Sequence, residues 1–174
     1  NSDQGANFSA LQQRAAEWKR KHGWAQAESL PLEAEFWTDH DCDLWFRTGG
    51  LFHPQRARER RRPPEGDAGG TSGGARRRVS VLAPTCEARQ GLHEGLWSCF
   101  EAQTWPDKEL VIVETYSSTP SKFFEEKAKQ DERVVFLSYQ VPKEKDWSSG
   151  LKRNLCAQLA SGGLSAHFND GDLY

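Results

Sequence analysis

The 174-residue chain has no methionine, so Asn1 is not a natural start, and a fragment of a longer protein is expected. No apolar run approaches the roughly 18–20 residues that a membrane helix needs, so no membrane segment is expected. Charge of one sign is also missing: acidic and basic residues nearly cancel at −2. That balance gives no general attraction to polyanions, and no nucleic acid is expected as a partner. Cysteine is sparse. Cys42, Cys86, Cys99 and Cys156 have neither zinc-ligand nor redox spacing. They read as thiols in a reducing compartment, which favours the cytoplasm, with a disulfide pairing left open. No Gly-x-Gly-x-x-Gly follows a predicted strand. The first strand-to-helix turn, Pro84-Thr85-Cys86-Glu87-Ala88-Arg89, lacks the glycines that let a backbone approach a dinucleotide pyrophosphate.

Apolar residues make up 36 % of the chain, a low share, but they are unevenly placed. Residues 1–7 are polar and read as disordered. Ser9 can cap a helix running to about Lys21, with Phe8, Leu11, Ala15, Trp18 and His22 on one face. Phe36-Trp37, Leu44-Trp45-Phe46 and Leu51-Phe52 are short aromatic runs separated by Asp39-His40-Asp41 and Thr48-Gly49-Gly50. They predict a three-stranded aromatic meander. With Trp37, Trp45-Phe46 and Phe52-His53-Pro54, residues 1–53 are faintly similar to a WW domain, a module that grips proline-rich peptides in an aromatic groove. The alternative is an aromatic mini-core closed by the first helix.

Residues 54–78 change character. Arginines at 56, 58 and 60–62 precede Pro63-Pro64, paired glycines at 69–70 and 73–74, and Arg76–Arg78. Such a stretch buries too little apolar surface to offset its ordering entropy and reads as a disordered linker.

From Val79 the pattern becomes regular. Val79–Ala83, Leu110–Val113, Val134–Leu137 and Leu164–Phe168 are short apolar runs, and amphipathic helical stretches separate them. Strand-helix alternation of this kind predicts an α/β unit with a mainly parallel sheet over residues 79–174. Directly after the fourth strand comes Asn169-Asp170-Gly171-Asp172. Two carboxylates two residues apart, on a loop leaving a strand, can share one hard divalent cation, and such a cation can hold a diphosphate. A solvated Asp-Gly turn is the competing reading.

Five stretches carry a family resemblance. They are Val79–Thr85, Gln103-Thr104-Trp105-Pro106, Glu109–Glu114, Lys152-Arg153-Asn154 and Asn169–Asp172 with Tyr174. In this order and spacing, residues 79–174 resemble the nucleotide-sugar-binding half of a family 2 glycosyltransferase with the Rossmann-like GT-A fold. The resemblance implies metal-assisted, inverting transfer of a sugar from a nucleotide-diphosphate donor, with UDP favoured, to an unknown acceptor. It implies Mn²⁺ or Mg²⁺ on Asp172 and Asp170. Asp170 would also contact the ribose or the diphosphate. Pro84 and Thr85 would meet the nucleoside, Glu114 the base, and Arg153 the base or the diphosphate. The general base is expected beyond Tyr174, so the fragment alone is expected to be inactive. Glu114-Thr115 stands where the family places two aspartates, and Asn169 and Gly171 replace two acids of the metal motif. The rival reading, from another class, is an interaction protein that uses the aromatic module and keeps a non-catalytic GT-A remnant.

Overall fold

The structure is a computed structural model, and it describes residues 2–22, 29–60 and 78–172. The chain divides into two compact units, Asn1–Ala57 and Arg58–Tyr174.

The first unit is helical. Helix α1 spans Ser2–His22, a 3-10 turn covers Leu32–Phe36, α2 spans Asp39–Arg47 and α3 spans Pro54–Arg60. The predicted aromatic meander is therefore replaced by helix. Thr38 and Asp41 cap one another's backbone: the Thr38 hydroxyl accepts from Asp41 N–H at 3.2 Å, and Asp41 Oδ2 accepts from Thr38 N–H at 2.9 Å. A turn signal between strands was thus a reciprocal cap that starts a helix. Cys42 and Phe46, four residues apart, then share one buried face. Gly49 and Gly50, at φ 64° and 79°, end that helix in the left-handed region instead of turning a hairpin. The pleated groove of a WW domain is not formed. The alternative mini-core is: Leu11 and Ala15 of α1 pack with Ala34, Trp37, Cys42 and Phe46, and Trp18 stacks on Phe46 at 5.8 Å.

Two disorder expectations also change. Helix α1 already begins at Ser2, so the polar stretch expected to be disordered joins a longer helix that needs only one nucleation event. The expected linker begins as helix α3, with Pro54 at its first position and Gln, Arg, Ala and Glu, all strong helix formers, behind it. The rest of that segment, 61–77, lies outside the described residues, as does Tyr174.

The second unit has the expected α/β architecture. Strands β1 (Val79–Cys86), β2 (Lys108–Tyr116), β3 (Val134–Gln140) and β4 (Leu164–His167) alternate with helices α4 (His93–Ala102), α5 (Lys122–Gln130) and α6 (Ser149–Leu159). All neighbouring strands are parallel, in the order β3-β2-β1-β4. Right-handed crossovers send α4 and α5 to one face and α6, on the return path, to the other. Leu110–Val113 is fully buried, as a strand covered on both faces must be. Val81, Ala83, Leu110 and Ile112 face Leu96, Phe100 and Phe124 of the first helical layer. Leu151, Lys152, Leu155, Cys156 and Leu159 are the buried residues of α6. Strand β1 continues through Pro84, which lies past the last β1–β4 pair, Leu82–His167, where β4 no longer requires an N–H. All four cysteines are free thiols.

Gly162, three residues past the end of α6, stands where a side chain does not fit. Helix α6 ends at Leu159, and the chain then passes close over the start of β1. The buried Glu109 carboxylate fixes that passage, accepting from Ser161 N–H at 2.6 Å and Ser161 Oγ at 2.7 Å. A Cβ on Gly162 would fall 2.5 Å from the Arg78 carbonyl oxygen and 2.6 Å from Ser80 Oγ. Gly162→Ala is expected to destabilise this unit by about 2 kcal/mol, the usual scale of overpacking. The check is the fall in its urea unfolding midpoint, with Gly163→Ala, which has open space at its Cβ, as the mild comparison.

Candidate functional site at the sheet switch point

Strand β2 pairs with one side of β1 and β4 with the other, so the strand order reverses between β1 and β4. Their C-terminal ends border a crevice, the place where open parallel sheets hold ligands. A cleft of about 300 Å³ lies there, lined among others by Pro84, Thr85, Arg89, Lys152, Arg153, Asp170 and Asp172. A second cleft of about 430 Å³ adjoins it, formed by the ends of β1 and β2 with Tyr116, Val141 and Lys143, and shares Cys86 and Asp146 with the first.

The walls are held by a chain of buried hydrogen bonds. Asp170 is 6 % exposed. The Thr85 hydroxyl donates to its Oδ2 at 2.8 Å, and Arg89 donates to its Oδ1 at 2.7 Å. A carboxylate can only accept, so the single Thr85 proton is spent there. Thr85 Oγ1 must then accept from His93 Nε2, 3.0 Å away. That assigns the Nε2–H tautomer and leaves Nδ1 to accept from Ser121 Oγ at 2.8 Å. Ser121 caps α5 through the same oxygen, and its own N–H donates to Glu114 Oε2 at 2.8 Å. The other Glu114 oxygen accepts from Gln90 at 2.9 Å. Burial pulls the His93 pKa down to about 4, with the Asp170 charge opposing, and burial pushes the Glu114 carboxyl up.

Of the residues singled out in the sequence, the structure brings Pro84, Thr85, Arg153, Asp170 and Asp172 to one cleft. Glu114 is not among them. It shares a face of β2 with Leu110 and Ile112, is fully buried, and has both oxygens occupied. Its expected contact with a base is therefore not available. Asp170 is likewise committed, to Thr85 and Arg89, so its expected role as a direct metal ligand does not fit. Among the described residues no three His, Cys, Asp or Glu side chains converge on a metal position. Asp172 does fit a cation. It is exposed, Asn169 Nδ2 donates to one of its oxygens at 2.8 Å, and Mg²⁺ commonly takes one carboxylate with water and phosphate oxygens. Arg153 reaches Asn169 Oδ1 at 2.6 Å, and its Nε is buried with no hydrogen-bond partner among the described residues.

Sequence reasoning missed Arg89, Lys152, Asp146 and the buried relay as site components. The Lys152 ammonium is nearly enclosed, donating to the Thr85 carbonyl at 3.0 Å and pairing with Asp146 at 3.2 Å. Arg89 lies four residues after Thr85, just past the end of β1, and no periodicity in the sequence marked it. His93, at the centre of the relay, is fully buried. No protein-family model and no curated protein matches the chain.

The relay has a pH signature. The unfolded chain takes up a His93 proton near pH 6.5, but the folded state refuses it until about pH 4. Stability is therefore fully present above pH 6.5 and falls as pH drops through that window, by about 3 kcal/mol from this group. Urea midpoints of the wild type and of His93→Gln, compared between pH 7 and 4, check it. The variant is expected to lose most of the slope in this interval.

Proposed function

We propose that the parallel-sheet unit binds the nucleotide diphosphate of a sugar donor, as the donor half of a metal-assisted, inverting glycosyltransferase resembling family 2. One observation carries this reading: the switch-point cleft gathers an exposed carboxylate, Asp172, beside the cationic Arg153 and Lys152, at the strand ends where such sheets hold nucleotides. The chemistry asks for that pairing. When a donor sugar is attacked, charge grows on the departing diphosphate, and fixed positive charge there lowers the barrier. A bound Mn²⁺ or Mg²⁺ supplies Lewis-acid stabilisation of that charge.

Each residue then has a separate task. Asp172 holds the cation. Arg153, half-buried in the cleft wall, meets the diphosphate. Lys152 adds positive potential while anchoring the end of β1 through the Thr85 carbonyl. Pro84 and Thr85 form the nucleoside wall. Asp170 orients Thr85 and Arg89 and leaves cation binding to Asp172. The acceptor-activating base is not assigned to any residue of this chain.

Calorimetric titration of UDP into the protein, with Mn²⁺ and then with EDTA, tests the proposal. Binding is expected with the metal and at least tenfold weaker without it. Asp172→Ala is expected to weaken the Mn²⁺-dependent binding by at least tenfold, about 1.4 kcal/mol. Wild-type protein that binds no UDP in either condition sinks the proposal.

A further inference from the structure

We propose that Asp146 reads the nucleobase, accepting the ring N–H of a uracil in the cleft between β1 and β2. The inference rests on the nucleotide-binding reading and deepens it. Glu114, the acid at the end of β2, is enclosed and lines neither cleft. A base held there needs another acceptor, and four carboxylates border the two clefts: Glu87, Asp146, Asp170 and Asp172.

Three of them are committed. Glu87 accepts from Ser117 N–H at 2.9 Å, Ser117 Oγ at 2.7 Å, Ser118 N–H at 3.1 Å and Thr119 N–H at 3.1 Å. These donors fill both its oxygens and clip the loop after β2 against the start of the preceding turn. Asp170 is taken by Thr85 and Arg89. Asp172 is the cation's ligand in the reading above.

Asp146 differs from all three. It is the carboxylate common to both clefts, and its side chain is 40 % exposed. Its Oδ1 is pinned by the Thr115 hydroxyl at 2.6 Å and by Trp147 N–H at 2.7 Å. Its Oδ2 accepts a single hydrogen bond, from Lys152 Nζ at 3.4 Å, an ammonium that also lies 3.2 Å from Oδ1, so Oδ2 keeps a lone pair toward the cleft. One oxygen thus fixes the carboxylate and the other is left to accept. Thr115 is the residue after Glu114, so the strand end still addresses the cleft, but through a hydroxyl that holds an acid supplied by another loop. Tyr116 and Val141 give the same cleft an apolar wall for a flat ring.

The recognition is directional. Uracil presents a donor at ring position 3, and cytosine presents an acceptor there. A carboxylate opposite that position pairs with the first and leaves two acceptors facing each other with the second. An amide in its place can donate, which favours cytosine.

The experiment is a UDP and CDP titration, with Mn²⁺, of the wild type, Asp146→Asn and Glu114→Gln. The wild type is expected to favour UDP by at least tenfold. Asp146→Asn, which keeps an acceptor for Thr115 and Trp147, is expected to cut that ratio at least tenfold. Glu114→Gln is expected to keep it. The ratio is measured on one preparation, so a reduced folded fraction does not change it. An unaltered ratio in Asp146→Asn, or a ratio lost in Glu114→Gln, overturns the assignment while UDP binding itself still stands. A wild type that binds neither nucleotide overturns the assignment together with the reading beneath it.

Discussion

Asp170 is a carboxylate with 6 % of its surface exposed, and a buried charge must be met or it unfolds what buries it. Its two oxygens are met by Thr85 and Arg89, residues 85 and 81 positions away along the chain. That requirement ties the loop after β4 to the end of β1 across the one gap in the sheet order. It also propagates. Because Thr85 must donate to Asp170, His93 must donate to Thr85 and Ser121 must donate to His93. Ser121 starts α5, and its backbone holds Glu114. A single obligatory pairing at the cleft therefore orders the β1 end, the turn behind it and the loop before α5.

This arrangement divides labour between two aspartates that the sequence presents as equals. Asp170 is held by protein donors, and Asp172 stays on the exposed side of the same turn, steadied by Asn169. The same separation recurs at the neighbouring strand end. Glu114 is enclosed and satisfied, while Thr115, one residue on and pointing to the opposite face, grips Asp146 at the cleft. In the turn this separates a buried aspartate from an exposed one; in the strand both residues are buried, and alternation sends only Thr115 to the cleft.

The parallel sheet was legible because its central strands, β1 and β2, carry near-continuous apolar runs, the composition of strands buried on both faces. The helices between them were legible from their spacing. The first unit was misread for a related reason. Short aromatic triplets such as Leu44-Trp45-Phe46 suit a strand or one turn of helix equally, and the deciding signal was polar: Thr38 and Asp41 cap each other. At the start of the arginine-rich stretch, composition concealed a helix opened by Pro54.

By itself, the sequence determined the order of strands and helices in residues 79–172 and placed the acidic pair just beyond the last strand. These are local properties, set by periodicity and by turn residues within a few positions. The tertiary structure alone decided that Asp170 is buried among distant donors while Asp172 stays exposed. It enclosed Glu114, committed Asp170 to Thr85 and Arg89, and brought Asp146 to the crevice. Such outcomes depend on which distant donors arrive at each carboxylate, and a one-dimensional pattern carries a residue's face but not its partner.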